Sequence, residues 1–223
     1  MNDVVVFTAV FGQPDVLFEP SVPLDGVDLV CYTDLEFTGQ SAFRMIELRL
    51  DDLPPRKRTR RVKIWREEVL DCFAYSLYMD STVELRVGPR ELIQYLEPDS
   101  DIAVFRHPDR DCAYQEGRVC MRAGMADHDV VREQLAYYRA AGLPPGNGLW
   151  AGTFVLRRHT PRMRVFSETW WQEVDVFSCR DQISFPYVAW MMGTRVSVFP
   201  GGLRCNELMT WRRHDERPSE FRR

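Results

Sequence analysis

Three strand-like segments each run into a polar residue suited to ligand chemistry. Asp34 closes 27-VDLVCYTD-34, Asp80 follows the apolar run 73-FAYSLYM-79, and His107 closes 101-DIAVFRH-107. A carboxylate at a strand end, beside small hydroxyls such as Ser81 and Thr82, can hold a hard divalent cation. Mg2+ or Mn2+ keeps several waters and takes its other ligands from one or two carboxylates and from substrate phosphates. Such a cation withdraws charge from a leaving diphosphate. The basic segment 56-RKRTRRVK-63 could clamp the same phosphates, because guanidinium and ammonium donors match phosphate oxygens. Each feature also has a plainer reading. A strand-end aspartate can be an Asx-type turn, and the basic run can be a solvated face at a helix start. Three polar groups at three strand ends favour a site.

The elements that must carry these residues follow from the pattern of apolar positions. Residues 4–10 read as a first strand, stopped by Gly12 and Pro14, and residues 27–34 as a second. Residues 43–50 alternate and fit a third, partly exposed strand. Two prolines end that element before a helix that runs to about residue 70. Strands are expected at 73–79, 101–107, 149–158 and 195–200. Helices are expected at 90–96, 110–125, 129–142, 162–173 and 180–193, the last with an internal proline. Within 129–142, Val131, Leu135 and Tyr138 share a face, and Gly142 stands where a C-terminal cap belongs. The alternation of strands and helices predicts one α/β domain. In an open α/β sheet, ligands bind beyond the C-terminal ends of the strands, which is where Asp34, Asp80 and His107 fall.

Composition narrows the partners. The chain has 223 residues, 45% of them hydrophobic, enough for one sizeable core. With a formal net charge of -4 it carries no broad basic field, so nucleic acid is not an expected partner. Lys57 and Lys63 are the only lysines. No apolar run reaches membrane-spanning length, and the first twelve residues lack the basic region and cleavage site of a signal peptide. The six cysteines contain no C-x-x-C pair, which reads as free thiols in a reducing, cytoplasmic setting.

A long ordered series of segments is similar to one known family. It comprises FTAVFG at 7–12, CYTD at 31–34, Arg60 and Lys63, YMDST at 78–82 and 105-FRHPDRDCAYQE-116. It continues with Gln134 and Tyr138, 147-NGLWAGTFVLRRHT-160, 170-WWQE-173 and 179-CRDQISFPYVAW-190. The chain resembles a glycosyltransferase-like family, formerly a domain of unknown function. That family includes plant members named as alkaline ceramidase and as mucilage-related glycosyltransferases, and it has bacterial members.

The resemblance implies a GT-A-like α/β fold: a central, mostly parallel sheet flanked by helices, with 1–107 as a nucleotide-binding half, 108–203 as an acceptor and catalytic half, and 204–223 as a polar tail. It implies a UDP-linked or other nucleotide-diphosphate sugar as donor. The acceptor would be a glycan, a lipid-linked sugar or a polysaccharide, with peripheral association at the inner membrane surface. Thr8, Ala9 and Gly12 would lie by the nucleotide, and Asp34 by the base or ribose. Arg60 and Lys63 would hold phosphates. Asp80, Ser81 and Thr82 stand where such enzymes carry a D-x-D motif, so Asp80 would bind Mn2+ or Mg2+ or hold sugar hydroxyls. Trp65-Arg66 replaces the family's Pro-His, so a phosphate contact would shift to Arg66 or be absent. His107, Arg110 and Asp111 would contact the donor or shape the pocket, and Asn147 and Gly148 would touch the transferred sugar. His214 would complete a metal shell, as a late histidine does in some GT-A enzymes. Asp181-Gln182 resembles the Asp-Gln pair that faces the donor anomeric carbon in some retaining enzymes. Asp181 would stabilise oxocarbenium-like charge or deprotonate the acceptor. As the first residue of a predicted helix it could also serve the helix dipole. Two other activities stay open: a metal-dependent hydrolase, and a non-catalytic nucleotide-sugar-binding protein.

Overall fold

The computed structural model describes residues 3–13, 15–65, 70–212 and 220–222. Its main sheet contains β1 (Val4–Val10), β2 (Val27–Thr33), β4 (Arg44–Glu47), β5 (Tyr75–Met79), β7 (Ile102–Arg106), β8 (Trp150–Arg158) and β9 (Ser197–Val198). The order is β4-β2-β1-β5-β8-β7-β9. β4, β2, β1 and β5 are mutually parallel, and β8 runs antiparallel between β5 and β7. The sheet is therefore mixed, mostly parallel with β8 as its one reversed strand. Because β8 reverses direction, β7 again runs parallel to β5, so β1, β2, β5 and β7 all end at one edge. The residues after those ends are Phe11, Asp34, Asp80 and His107.

Five helices supply the apolar cover of one sheet face: α1 (Pro55–Ile64), α2 (Ala113–Arg122), α3 (His128–Ala140), α4 (Pro161–Val176) and α5 (Asp181–Met191). Val62, Cys120, Tyr138, Trp170 and Val188 from these helices pack with Phe7, Tyr78 and Val155 of the sheet. Their apolar positions recur at helical spacing, which turns one stripe of each helix to the core. Asp127 caps the start of α3, accepting hydrogen bonds from the N–H groups of Asp129 and Val130. Gly142 follows that helix with φ +97°, a left-handed conformation suited to glycine.

A 3-10 helix at Pro89–Tyr95 and two short two-stranded sheets cover the other face. In those sheets β6 (Val83–Leu85) pairs with β10 (Met209–Trp211), and β3 (Glu36–Phe37) pairs with β11 (Phe221–Arg222). The stretch 204–223, polar in composition, thus supplies two strands, and Phe221 is fully buried against Phe37 at 5.0 Å between ring centroids. Such strands are too short for alternation to reveal. The remaining differences are at boundaries. The strand expected at 43–50 spans Arg44–Glu47, and α1 ends at Ile64, with residues 66–69 outside the described residues.

Candidate active site

A buried ion cluster joins α1 to α5. Arg60 and Lys63 stand three apart on α1 and so share a face. Lys63 Nζ donates to Asp181 Oδ2 at 2.6 Å, and Arg60 Nε donates to Asp181 Oδ1 at 3.1 Å. Asp181 and Lys63 are each 3% exposed. Asp181 opens α5, where the helix dipole also favours a negative charge. Burial alone would raise its carboxyl; the Lys63 and Arg60 cations, with Arg180 beside them, reverse this and hold it far below the usual carboxylate range. Burial pushes Lys63 down, and Asp181 draws it part of the way back. Arg60 loses to burial but gains more from Asp181 and Asp80, and ends above its ordinary value.

Asp80 belongs to the same electrostatic unit, since its carboxylate acts on both Arg60 and Lys63. Tyr78, two residues earlier on the same strand face, donates its hydroxyl to Asp80 Oδ1 at 2.8 Å. Its ring lies 5.1 Å from Lys63 Nζ. Burial, then Asp80, pushes the Tyr78 phenol well up, so it stays a donor.

β8 contributes by what it lacks. The register between β7 and β8 slips after Val104: Val104 pairs with Val155, but Phe105 pairs with Ala151. Gly152 lies in the slipped segment. A Cβ there would stand 2.6 Å from Asp181 Oδ2 and 3.0 Å from Lys63 Nζ. Trp150, Gly152, Trp170, Phe185 and Gln182 pack around Asp181 and leave no room for a water molecule. Trp170 Nε1 also donates to the Asp181 carbonyl at 3.3 Å.

A second polar cluster adjoins the first. Glu116 on α2 is 1% exposed and accepts from Arg110 Nε at 2.6 Å. His107 Nε2 lies 3.8 Å from Glu116, and Arg180 Nη2 lies 3.9 Å from its other oxygen. Burial lowers the His107 imidazole, with Glu116 opposing. Arg180, next to Asp181 in the chain, thus lies near Glu116 and also acts electrostatically on Asp181. A cleft of about 710 Å³ opens between the start of α1, the start of α3 and the segment before α5, and no residue of either cluster lines it. Phe11, Gln13, Pro55, Thr59, Phe177 and Cys179 are among its walls, so it reaches the neighbour of Arg60 and the second residue before Asp181.

The structure brings Arg60, Lys63, Asp80, Asp181 and Gln182 together, and it gathers His107 and Arg110 on Glu116. Other candidates are engaged elsewhere. Thr8 and Ala9 are buried within β1. Asp34 accepts from the Gly12 N–H at 2.8 Å and from Arg58 at 2.5 Å, so both of its oxygens tie the β1 loop to α1. Gly12 itself, at φ +75°, packs against Pro55. Ser81 donates to Asp15, and Thr82 accepts from the Trp211 indole at 3.2 Å, so both anchor neighbouring segments. Asp111 is exposed, and Asn147 and Gly148 precede β8 at the same sheet edge. His214 and Arg66 lie outside the described residues. Tyr78, Gly152 and Arg180 were not singled out from the sequence. Tyr78 was legible in principle from its i, i+2 relation to Asp80, and Arg180 from its place beside Asp181.

Among the described residues, no three His, Cys, Asp or Glu side chains converge as a metal site. A divalent cation would find one well-placed carboxylate, Asp80, half-buried and with one oxygen already taken by Tyr78. That fits an ion whose shell is completed by phosphate and water, rather than a protein-ligated one. No helix among the described residues is long and apolar enough to cross a membrane.

Comparison with known proteins places this arrangement. Over 124 residues, covering 51% of this chain and 21% of the relative, it is 32% identical to the Probable hexosyltransferase MUCI70 of Arabidopsis thaliana. Over 129 residues it is 28% identical to the Alkaline ceramidase TOD1 of the same plant, covering 51% of this chain and 27% of the relative. The chain thus spans between about a fifth and a quarter of the length of these curated relatives. Mouse xyloside xylosyltransferase 1 in its apo form is a distant structural likeness, with 12% identity and a TM-score of 0.43 over 89% of this chain and 84% of that one. Residues 55–201, which include α1, Asp80, the Glu116 cluster, Gly152 and Asp181, match the TOD1/MUCI70, glycosyltransferase-like domain, and the chain belongs to that family.

Proposed function

We propose that this protein transfers a sugar from a nucleoside-diphosphate donor, UDP-linked, to a hydroxyl of a carbohydrate or lipid-linked acceptor. Its fold would be GT-A-like, with the donor beyond the strand ends of the N-terminal half. The observation that carries the reading is the Lys63–Asp181–Arg60 cluster, with Asp80 in electrostatic reach, at that sheet edge. Two cations suit a diphosphate, and an ionised carboxylate suits the positive charge that grows on the anomeric carbon as its bond to the diphosphate breaks. The electron pair leaves with the diphosphate, the acceptor oxygen bonds to the sugar, and the acceptor proton passes to an oxygen of the departing diphosphate.

Each residue then has a role. Arg60 and Lys63 bind the leaving diphosphate, and Arg180, braced by Glu116, stands behind them. Asp181 stabilises the sugar cation. The α5 N-terminus favours the ionised carboxylate of Asp181 whether or not the two cations stay with it, which supports charge stabilisation, and the likeness of Asp181-Gln182 to the pair of some retaining enzymes supports retention of configuration. The cleft of about 710 Å³ is large enough for a nucleoside or a sugar ring beside this centre. Asp80 would hold Mn2+ or Mg2+, which when bound would neutralise charge on the diphosphate.

One relative is named as a ceramidase, which raises amide hydrolysis as a second reading. That chemistry needs a base or a well-ligated metal to activate water. The depressed Asp181 and the absence of a three-ligand cluster among the described residues favour transfer. The test is a panel of UDP- and GDP-sugars with Mn2+, with and without oligosaccharide acceptors, read as nucleoside diphosphate released, beside a lipid-amide assay. Release from one donor class supports transfer. Amide cleavage without release from any donor would overturn it.

A further inference from the structure

We propose that the Asp181–Lys63–Arg60 cluster is a partner-exchange clamp: the donor's diphosphate takes Lys63 and Arg60 away from Asp181, and only then does the Asp181 carboxylate face the sugar. This rests on the transferase reading above and adds to it an order of events and a requirement on the leaving group.

The donor-free arrangement cannot act as it stands. Both Asp181 oxygens are engaged, one by each cation, and the surrounding space has no room for a water molecule, still less a sugar ring. Something must move. The two cations are the groups with reason to do so. Among the described residues, Asp181 is the one carboxylate bonded to either of them. A nucleoside diphosphate carries two to three negative charges, against one for a carboxylate, and presents several oxygens to the fixed fork of a guanidinium. In a site of low dielectric that difference in charge decides which anion the cations follow.

The approach is also marked. The Arg60 side chain is 22% exposed, whereas Lys63 and Asp181 are almost enclosed, so Arg60 meets an incoming phosphate first. On the β8 side even a methyl group on Gly152 would strike Oδ2, so the sugar must approach Asp181 from the side that the two cations vacate. Once released, Asp181 stays at the α5 N-terminus, ionised, and without its two counter-charges. It then attracts positive charge on the sugar more strongly than it does in the resting pair. A single phosphate cannot engage both cations as well, so the clamp selects diphosphate over monophosphate donors.

The two lysines of this chain make the exchange observable. Protein labelled with 13C at lysine Cε gives two signals, and Lys57→Arg assigns them. Addition of UDP or GDP is expected to shift the Lys63 signal at concentrations that saturate binding, while UMP at the same concentration shifts it less than half as far. Asp181→Asn, which frees the cations beforehand, is expected to bind UDP at least ten-fold more tightly in calorimetry. Should that variant not fold, the titration of the native protein decides. UDP binding that leaves the Lys63 signal unmoved, or an Asp181→Asn protein that binds UDP no more tightly, overturns the exchange and leaves the transferase reading standing. Failure of both UDP and GDP to bind overturns both.

Discussion

Gly152 and Asp181 are fitted so closely that a methyl group does not fit between them: a Cβ on Gly152 would lie 2.6 Å from Asp181 Oδ2. That position also lies 3.0 Å from Lys63 Nζ, so both atoms it would strike are ends of side chains. Gly152→Ala should therefore fold but loosen the ion pair. The expected cost in urea unfolding is about 1–2 kcal/mol. The expected loss of sugar transfer is larger, about 100-fold, because the carboxylate is displaced from the reacting centre. Comparing unfolding with initial rates checks this; unchanged transfer would show that Gly152 does not border the reaction.

Asp80 is held by Tyr78 through a 2.8 Å hydrogen bond. Asp80→Asn should raise the Mn2+ concentration needed for half-maximal turnover and cut the maximal rate by about 100-fold, as loss of one charge-stabilising group does. Tyr78→Phe keeps the ring under Lys63 and removes only the donor. Its effect should be smaller, about 1 kcal/mol or roughly five-fold in rate. Chelation by EDTA should lower turnover of the native protein, and Mn2+ should restore it. Rates measured across a Mn2+ titration for the three proteins decide the matter.

The sign of the pH dependence follows from Asp181. Its folded carboxyl lies below its ordinary value of 3.8, so its contribution to stability is complete above that value and is lost as pH falls through the folded range. Native protein should lose more stability than Asp181→Asn between about pH 5 and pH 3, where unfolded carboxyls take up protons. Urea titrations at both pH values test this. Parallel losses in the two proteins would mean that Asp181 is not held ionised by its neighbours.

The C-terminal strand pairing should matter for stability rather than chemistry. Phe221 is fully buried against Phe37. Phe221→Ala should cost about 3 kcal/mol in unfolding while leaving the Michaelis constant for donor unchanged. Thermal unfolding and donor kinetics on the same preparation would show it.

The sheet edge was legible because strand ends have local signals. Asp34, Asp80 and His107 do follow β2, β5 and β7, and the 129–142 helix could be read from its apolar face and Gly142. What those residues touch was not legible. The partners of Asp181 lie 118 and 121 residues away, and the packing of α1 on α4 and of α4 on α5 brings them together. Asp34 illustrates the same gap: from sequence it resembled a nucleotide ligand, yet Arg58 and the Gly12 N–H consume both its oxygens. The direction of β8 could not be read either, since a buried apolar strand looks alike in both orientations. That reversal places Gly152, rather than a side chain, against the Asp181–Lys63 pair.

The most direct test of the central claim pairs two measurements on native protein and Asp181→Asn with one nucleotide sugar: transfer to an acceptor, and equilibrium binding of the donor's nucleoside diphosphate. The account predicts that transfer falls by at least about 100-fold while the nucleotide still binds, and binds more tightly. Transfer by Asp181→Asn at the native rate would contradict it.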